Sequence, residues 1–135
     1  MIILAIDDQK LVLIPLETRL KDLGYVVYTA TRDVKGMVLY DVFQPDLVIV
    51  DINMPNVSGM DVVKYIRNEK KSSIPIMILS GNTDDHMIIK GFDLGINDYM
   101  KKPLSLVEVC ARVKRHIGVP IPGKSPIIEQ GIIIQ

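Results

Sequence analysis

Ile2-Ile3-Leu4-Ala5-Ile6-Asp7-Asp8 stands near the start of the chain, an apolar run closed by two aspartates. A continuous apolar run of this length is the pattern of a strand covered on both faces. A carboxylate at the end of such a strand is costly unless a charge compensates it. The construction recurs further on. Asp51 closes Leu47-Val48-Ile49-Val50, and Lys102 follows Tyr99-Met100 just ahead of Pro103. If these runs share a sheet, three acids and a lysine converge on one edge, a place for a divalent cation and an anion.

Strand-like and helix-like periods alternate outward from that first run. Leu11, Ile14, Leu16, Leu20 and Leu23 fall at mostly helical spacing, and Gly24 suits the stop. Pro15 removes a backbone donor early in this helix, which predicts a kink or a late start. Tyr25 to Ala30 is a second strand, and Asp33 to Phe43 a second helix weakened by Gly36 in its interior. Asp46 to Val50 is the third strand. Met60, Val63 and Ile66 mark a third helix with Ser58 as its cap. Pro75 to Leu79 is the fourth strand. Asn82 or Thr83 can cap a helix running to Leu94, with Asp84 and Asp85 in the first turn as the helix dipole favours. A short strand follows around Tyr99. Leu106, Val109, Cys110, Val113 and Ile117 form the apolar stripe of the last helix.

Five strands alternating with five helices argue for an α/β domain, an open parallel sheet with helices on both faces. Ligands of such sheets bind at the carboxyl ends of the strands, where strand order reverses. That rule sets Asp7, Asp8, Asp51, Ser80 and Lys102 on one rim, because each follows a strand.

Composition agrees without choosing a function. The 135 residues, 48% of them hydrophobic, suit one compact domain. A formal net charge of zero gives no reason to expect bulk electrostatic binding to nucleic acid or membrane. The single cysteine, Cys110, reads as a packed core thiol rather than a reactive one. The first apolar run is too short for a signal peptide, and no stretch has the length to span a bilayer, so a soluble, cytoplasmic protein is expected. His86 and His116 lack metal-ligand spacing and read as surface residues.

The rim has a definite chemistry. Magnesium prefers oxygen ligands and keeps several waters, so a few carboxylates suffice. Close carboxylates repel one another, which favours a cation between them. Asp51 can then act as a nucleophile toward phosphorus, with magnesium neutralising the developing charge and Lys102 supplying a fixed positive charge. The Ser80 hydroxyl and the backbone N–H groups of Gly81 and Asn53 can hold the phosphoryl oxygens, and Gly81 has no side chain to obstruct them. The product would be an aspartyl phosphate.

With those residues quoted, the chain resembles the receiver domain of two-component response regulators, the CheY-like family. Asp7-Asp8, Asp51-Ile52-Asn53-Met54-Pro55 followed by Gly59, Ser80-Gly81, and Asp98-Tyr99-Met100-Lys101-Lys102-Pro103 match in order and spacing over about residues 1–118. The resemblance implies a flavodoxin-like sheet of order 2-1-3-4-5. It implies Asp51 as phosphoacceptor and Asp8, Asp51 and the Asn53 carbonyl as magnesium ligands, with Asp7 acting mainly through a water. Lys102, next to Pro103, would pair with the phosphate, and that Lys-Pro bond is cis in much of the family. Ser80 and Tyr99 would be the switch residues, and Asn53 and Asn82 would tune hydrolysis. A sensor histidine kinase or phosphotransfer protein would be the donor. The domain would catalyse only its own phosphorylation and dephosphorylation and would switch the face made by the fourth helix, fifth strand and fifth helix. Departures from the pattern are Asp33 where many relatives have glycine, Gly36 where alanine is usual, and Pro15 inside the first helix; all bear on local stability.

Each residue alone has an ordinary explanation. Asp7-Asp8 can be a helix cap and its neighbour, Asp51 the start of an Asx-turn, Ser80 a loop hydroxyl, Tyr99 packing and Lys102 a solvated charge. Their joint occurrence at successive strand ends is what favours the site. A magnesium-dependent aspartyl-phosphate phosphatase is the rival, but such hydrolases place a general acid two residues after the nucleophile, where Asn53 stands here. A nucleotide-binding fold lacks its glycine-rich loop.

Residues 119–135 change character. Val119 to Pro126 reads as a linker, and Ile127 to Gln135 as an apolar, β-prone segment, a liability if left bare. It either docks or begins an output domain, as in the OmpR/PhoB-like transcription regulators. Asp98, Glu108 and Arg112, with Lys90 nearby, resemble charges that subfamily uses in a homodimer face; ordinary solvated helix charge is the alternative. DNA would be reached only through an output domain, and a stand-alone phosphorelay receiver remains the other reading.

Overall fold

Five strands make one parallel sheet in the order β2-β1-β3-β4-β5. They are β1 (Ile2–Ile6), β2 (Val26–Ala30), β3 (Leu47–Asp51), β4 (Ile76–Ser80) and β5 (Asp98–Lys101). The helices between and after them are α1 (Lys10–Asp22), α2 (Asp33–Phe43), α3 (Gly59–Lys64), α4 (Asp85–Leu94) and α5 (Leu106–Ile117). This computed structural model describes residues 1–54, 58–81 and 85–120. Pro55, the expected cap and first-turn residues Asn82 to Asp84, most of the expected linker and all of the apolar segment Ile127 to Gln135 lie outside the described residues.

Both faces of the sheet are covered, as the unbroken apolar runs require. Alternate side chains go to opposite layers. Ile3, Ala5, Leu47, Ile49, Met77, Leu79 and Met100 join Leu13, Leu16, Leu20, Val109, Cys110 and Val113 from α1 and α5. Leu4, Ile6, Val48, Val50, Ile76 and Ile78 join Tyr40, Met60, Val62, Val63 and Ile66 on the other side. Cys110 is a free thiol inside the first layer, and burial pushes its pKa up, as expected of a core cysteine.

Pro15 does not delay the helix, one of the two outcomes expected of it. Helix α1 begins at Lys10 and runs through Pro15 to Asp22, so the late start is not seen. The carbonyl that Pro15 cannot serve belongs to Leu11, whose side chain is 90% exposed, and water reaches that face. Gly36 also has another meaning than weakness. A Cβ there would stand 2.3 Å from Ile6 Cδ1, so the glycine lets α2 lie close against β1. Ser58 and Ser105 cap α3 and α5 by accepting from the N–H groups of Met60 and Glu108.

Arg67 was not singled out by sequence pattern, yet it ties three segments together. It sits in a π-helical turn, Tyr65–Glu69, that continues α3. Its guanidinium donates to the carbonyls of Gly95, Ser72 and Ile74 and to Asn97 Oδ1. Asn97 Oδ1 also accepts from the Ile76 N–H, fixing the start of β4. Arg67→Ala should cost about 2–4 kcal/mol in urea unfolding, because it strands several acceptors at once. Arg67→Lys should recover little of that, since a point charge cannot fill a planar fork.

Candidate functional site

Register decides which residues meet. Ile6 pairs with Val50, so Asp7 and Asp51 emerge beside one another at the carboxyl ends of adjacent strands. Ser80 pairs with Lys101, and the Lys102 N–H donates to the Ser80 carbonyl, which delivers Lys102 from the far side. The Lys102–Pro103 peptide is cis. The rim expected from the alternation of strands and helices therefore exists, around a cavity of about 200 Å³ lined by Asp8, Gln9, Asp51, Asn53, Gly81 and Lys102.

Asp7 has no exposed surface and Asp51 only 2%, while Asp8 is exposed. Lys102 Nζ stands 2.8 Å from Asp7 Oδ2 and 3.2 Å from Asp51 Oδ2. It also donates to Gln9 Oε1 at 3.1 Å. The contact with Asp7 Oδ2 is one of charge, off hydrogen-bond angles, and that buried oxygen has no hydrogen-bond donor. Burial pushes the Asp7 carboxyl above its ordinary range, and the nearby Lys102 and the Gln9 N–H only partly restore it. Burial pulls Lys102 down, but the Asp7 and Asp51 carboxylates outweigh it and hold the ammonium above its ordinary range.

The other carboxylate oxygens make short local bonds. Asp7 Oδ1 accepts from the Gln9 N–H, and Asp51 Oδ1 accepts from the Asn53 N–H at 2.9 Å. At Asp51 this is the Asx-turn that the ordinary reading allowed; Asp7 makes the same kind of local bond rather than the cap expected of it, since Gln9 is the N-cap of α1. The Asn53 N–H is thus engaged by Asp51 here rather than turned to the cavity. Asn53 Oδ1 accepts from the Ser80 hydroxyl at 2.6 Å, which binds these two residues across the cavity. Around Gly81 a Cβ would meet open space, so no neighbouring group forces a glycine there. Gly59 is different: a Cβ would lie 2.1 Å from the Asp51 carbonyl oxygen. Only glycine lets the start of α3 approach the acidic strand end so closely.

Carboxylate oxygens of Asp7, Asp8 and Asp51 lie within 4.8 Å of one another. An all-oxygen donor set, with one buried oxygen lacking a donor, fits a hard divalent cation better than a thiol- or imidazole-seeking one. Asp8 presents its carboxylate to solvent, on the entry side.

Tyr99 lies one residue beyond Asp98 on β5, half-buried against the layer containing Val63 and Ile78. Asp98 itself is buried. Arg112 Nη1 reaches it at 2.6 Å, Arg115 Nη2 at 2.9 Å and His116 Nε2 at 2.9 Å. Burial raises the Asp98 carboxyl, but His116, the Tyr99 N–H and Arg112 outweigh it and hold the pKa below its ordinary value. His116 is therefore not the plain surface residue expected from the sequence; its side chain is only 16% exposed and paired. The cause is helical spacing, which puts positions 112, 115 and 116 on one flank of α5 facing β5.

Residues 3–114 match the response regulator receiver domain. The chain belongs to that family. It is 37% identical to the cell cycle transcriptional regulator CtrA of Caulobacter vibrioides, across 98% of this chain and 57% of CtrA. It is 35% identical to the alkaline phosphatase synthesis transcriptional regulatory protein PhoP of Bacillus subtilis, across 83% of this chain and 46% of PhoP. The receiver chain thus spans about half the length of these curated relatives. A crystal structure of a two-component response regulator from Clostridium difficile superimposes with a TM-score of 0.81 at 26% identity, covering 87% of this chain and 95% of that one. As a receiver of the two-component systems it is a signalling domain, and no helix among the described residues is long and apolar enough to cross a membrane.

The burial of Asp7 has a cost in stability. Asp7→Asn should raise stability at neutral pH by roughly 1 kcal/mol, as removal of such site strain commonly does. Lys102→Met should do the opposite and cost about 3–5 kcal/mol, since it leaves buried carboxylates uncompensated. Because the folded Asp7 pKa is raised, its ionisation penalises folding above that pKa. Lowering the pH from neutral toward the ordinary carboxylate value of 3.8 should therefore close the gap between wild type and Asp7→Asn. Urea midpoints across that range test it; a gap that does not change with pH would contradict the assignment.

Proposed function

We propose that Asp51 is the phosphoacceptor of this receiver, with magnesium held by Asp8, Asp51 and the Asn53 carbonyl, and by Asp7 through a water. The single observation that carries the reading is the Lys102 ammonium standing 3.2 Å from Asp51 Oδ2 inside a cup of carboxylates. An Asp51 carboxylate oxygen attacks the phosphorus of a phosphohistidine, the P–N bond breaks, and the imidazole leaves with its electron pair and takes up a proton. Magnesium, when bound, supplies neutralisation of the charge on the phosphoryl oxygens. Lys102 holds the acceptor oxygen in place and pairs with the phosphoryl group once formed. Ser80 exchanges its bond to Asn53 for one to a phosphoryl oxygen, and Gly81 offers its N–H without a side chain in the way. Asn53 and Asn82 set how readily water reaches the aspartyl phosphate. The domain catalyses its own phosphorylation and slow dephosphorylation and no other reaction.

The donor is a sensor histidine kinase or phosphotransfer protein. An apolar groove of about 580 Å³ beside the cup, lined by Leu11, Val12, Pro15, Pro103, Leu104 and Leu106, supports a protein donor over a small one alone. Residues 1–118 act as the receiver, and 119–135 as linker and lead into an output, by likeness to CtrA and PhoP, whose names state transcriptional regulation. The protein works in the cytoplasm, and any contact with DNA goes through that output.

Phosphorylation turns Tyr99 inward and changes the surface of α4, β5 and α5, one bistable element read at two ends. A homodimer through that surface is supported by Ile89 and Phe92 on α4, which are 58% and 50% exposed. In one chain Asp98 and Glu108 are both taken by Arg112, so pairing across a dimer would require them to exchange partners.

Asp51→Asn should abolish labelling by acetyl phosphate in intact-mass spectra, and Asp8→Ala should weaken magnesium at least roughly tenfold in NMR titration. Label retained on Asp51→Asn would move the acceptor elsewhere. Beryllofluoride with magnesium should double the mass seen by light scattering; a constant monomer favours the stand-alone receiver.

A further inference from the structure

Gln9 begins α1 without doing the usual work of its position. It is the N-cap residue, yet its side chain makes no capping bond, as expected of a residue type absent from the good caps. Its backbone is occupied locally, donating to Asp7 Oδ1 and accepting from Val12 and Leu13. The side chain instead crosses to β5 and accepts from Lys102 Nζ. Gln9 and Lys102 are also the two residues that line both the polar cavity and the apolar groove beside it.

Among the described residues, three groups surround the Lys102 ammonium: the Asp7 carboxylate, the Asp51 carboxylate and the Gln9 amide oxygen. Two of them belong to the acidic cluster whose oxygens fit a divalent cation. When a cation and a phosphoryl group take those carboxylates, Lys102 loses their full charge and is repelled by the metal. Besides the phosphoryl group itself, the amide oxygen is the partner left to Lys102 among the described residues, and it is neutral, so it neither competes for the cation nor repels an incoming phosphoryl group. A glutamate at position 9 would do both.

We propose that Gln9 is a positioning residue for Lys102, the neutral acceptor that keeps the ammonium directed into the cup while Asp7 and Asp51 are engaged by cation and phosphoryl group. This rests on the acceptor reading above and adds a residue that the family motif does not include. Because Gln9 also walls the apolar groove, a protein seated there bears directly on the group that holds Lys102.

The experiment compares wild type, Gln9→Met, Gln9→Glu, Lys102→Arg and the Gln9→Met/Lys102→Arg double variant. Acetyl phosphate is the donor because it needs no docking surface. Gln9→Met keeps length and removes the acceptor, and should slow labelling of Asp51 roughly 3- to 10-fold, the scale of one ordinary hydrogen bond lost at an exposed position. Magnesium affinity should stay within about twofold, as Met removes no metal ligand. Gln9→Glu should also slow labelling but tighten magnesium. In the Lys102→Arg background, Gln9→Met should have a much smaller effect, since the two act as one unit. With neither metal nor donor present, the Lys102 side-chain ammonium resonance in ¹H–¹⁵N spectra should shift in Gln9→Met while urea midpoints stay put. Labelling unchanged in Gln9→Met, equal effects in both backgrounds, or an unmoved Lys102 resonance would each overturn the role of Gln9. Label persisting on Asp51→Asn would instead remove the acceptor reading on which it rests.

Discussion

The ammonium of Lys102, set between the carboxylates of Asp7 and Asp51, is the interaction on which the rest of the molecule depends. Both acids stand almost without solvent at the ends of central strands. Burying carboxylates is costly unless a charge compensates them, and close like charges raise the cost further. The charge that compensates them comes from just beyond the edge strand β5, 51 residues after Asp51 in sequence. Every strand between must therefore be in register for the cup to close. A one-residue slip in any of these parallel pairs would send core side chains to the wrong face and the acids away from the lysine. Core packing and site geometry are in this sense one requirement.

The cup is not a fully satisfied arrangement. One buried carboxylate oxygen lacks a donor, and one ammonium is divided between two hydrogen-bond acceptors and a third, purely ionic contact. Around it the fold is restrained by close contacts that no larger residue permits, at Gly59 against the Asp51 carbonyl and at Gly36 against Ile6. Arg67 performs a comparable service away from the site, ordering the entry to β4 and the turn before β5.

At the opposite side of β5, Asp98 gathers Arg112, Arg115 and His116 from a single flank of α5. Next to it stands Tyr99, whose N–H donates to Asp98 and whose carbonyl accepts from Arg112. Strand β5 thus has Lys102 just beyond one end and a dense charge network on its outer flank. This short element physically joins the cup to the α4-β5-α5 surface.

Much of this was legible in the chain itself. Unbroken apolar runs named the strands and required both faces to be covered, and aspartates at their ends marked the rim, because burial makes such placement costly without a purpose. Helix stripes at period 3.6 named α1 to α5, and Ser58 announced the start of α3. What sequence could not carry was any relation that depends on distance. Gly36 read only as a weak point in its helix, and Gly59 only as part of a motif, until the backbones they admit were seen beside them. Gln9, Arg67 and His116 have side chains long enough to serve several partners, and pattern alone says nothing of which one they reach. Local periodicity determined the elements and the residues at their ends. Tertiary packing decided who touches whom, because those contacts are set by register and close approach between segments far apart in the chain.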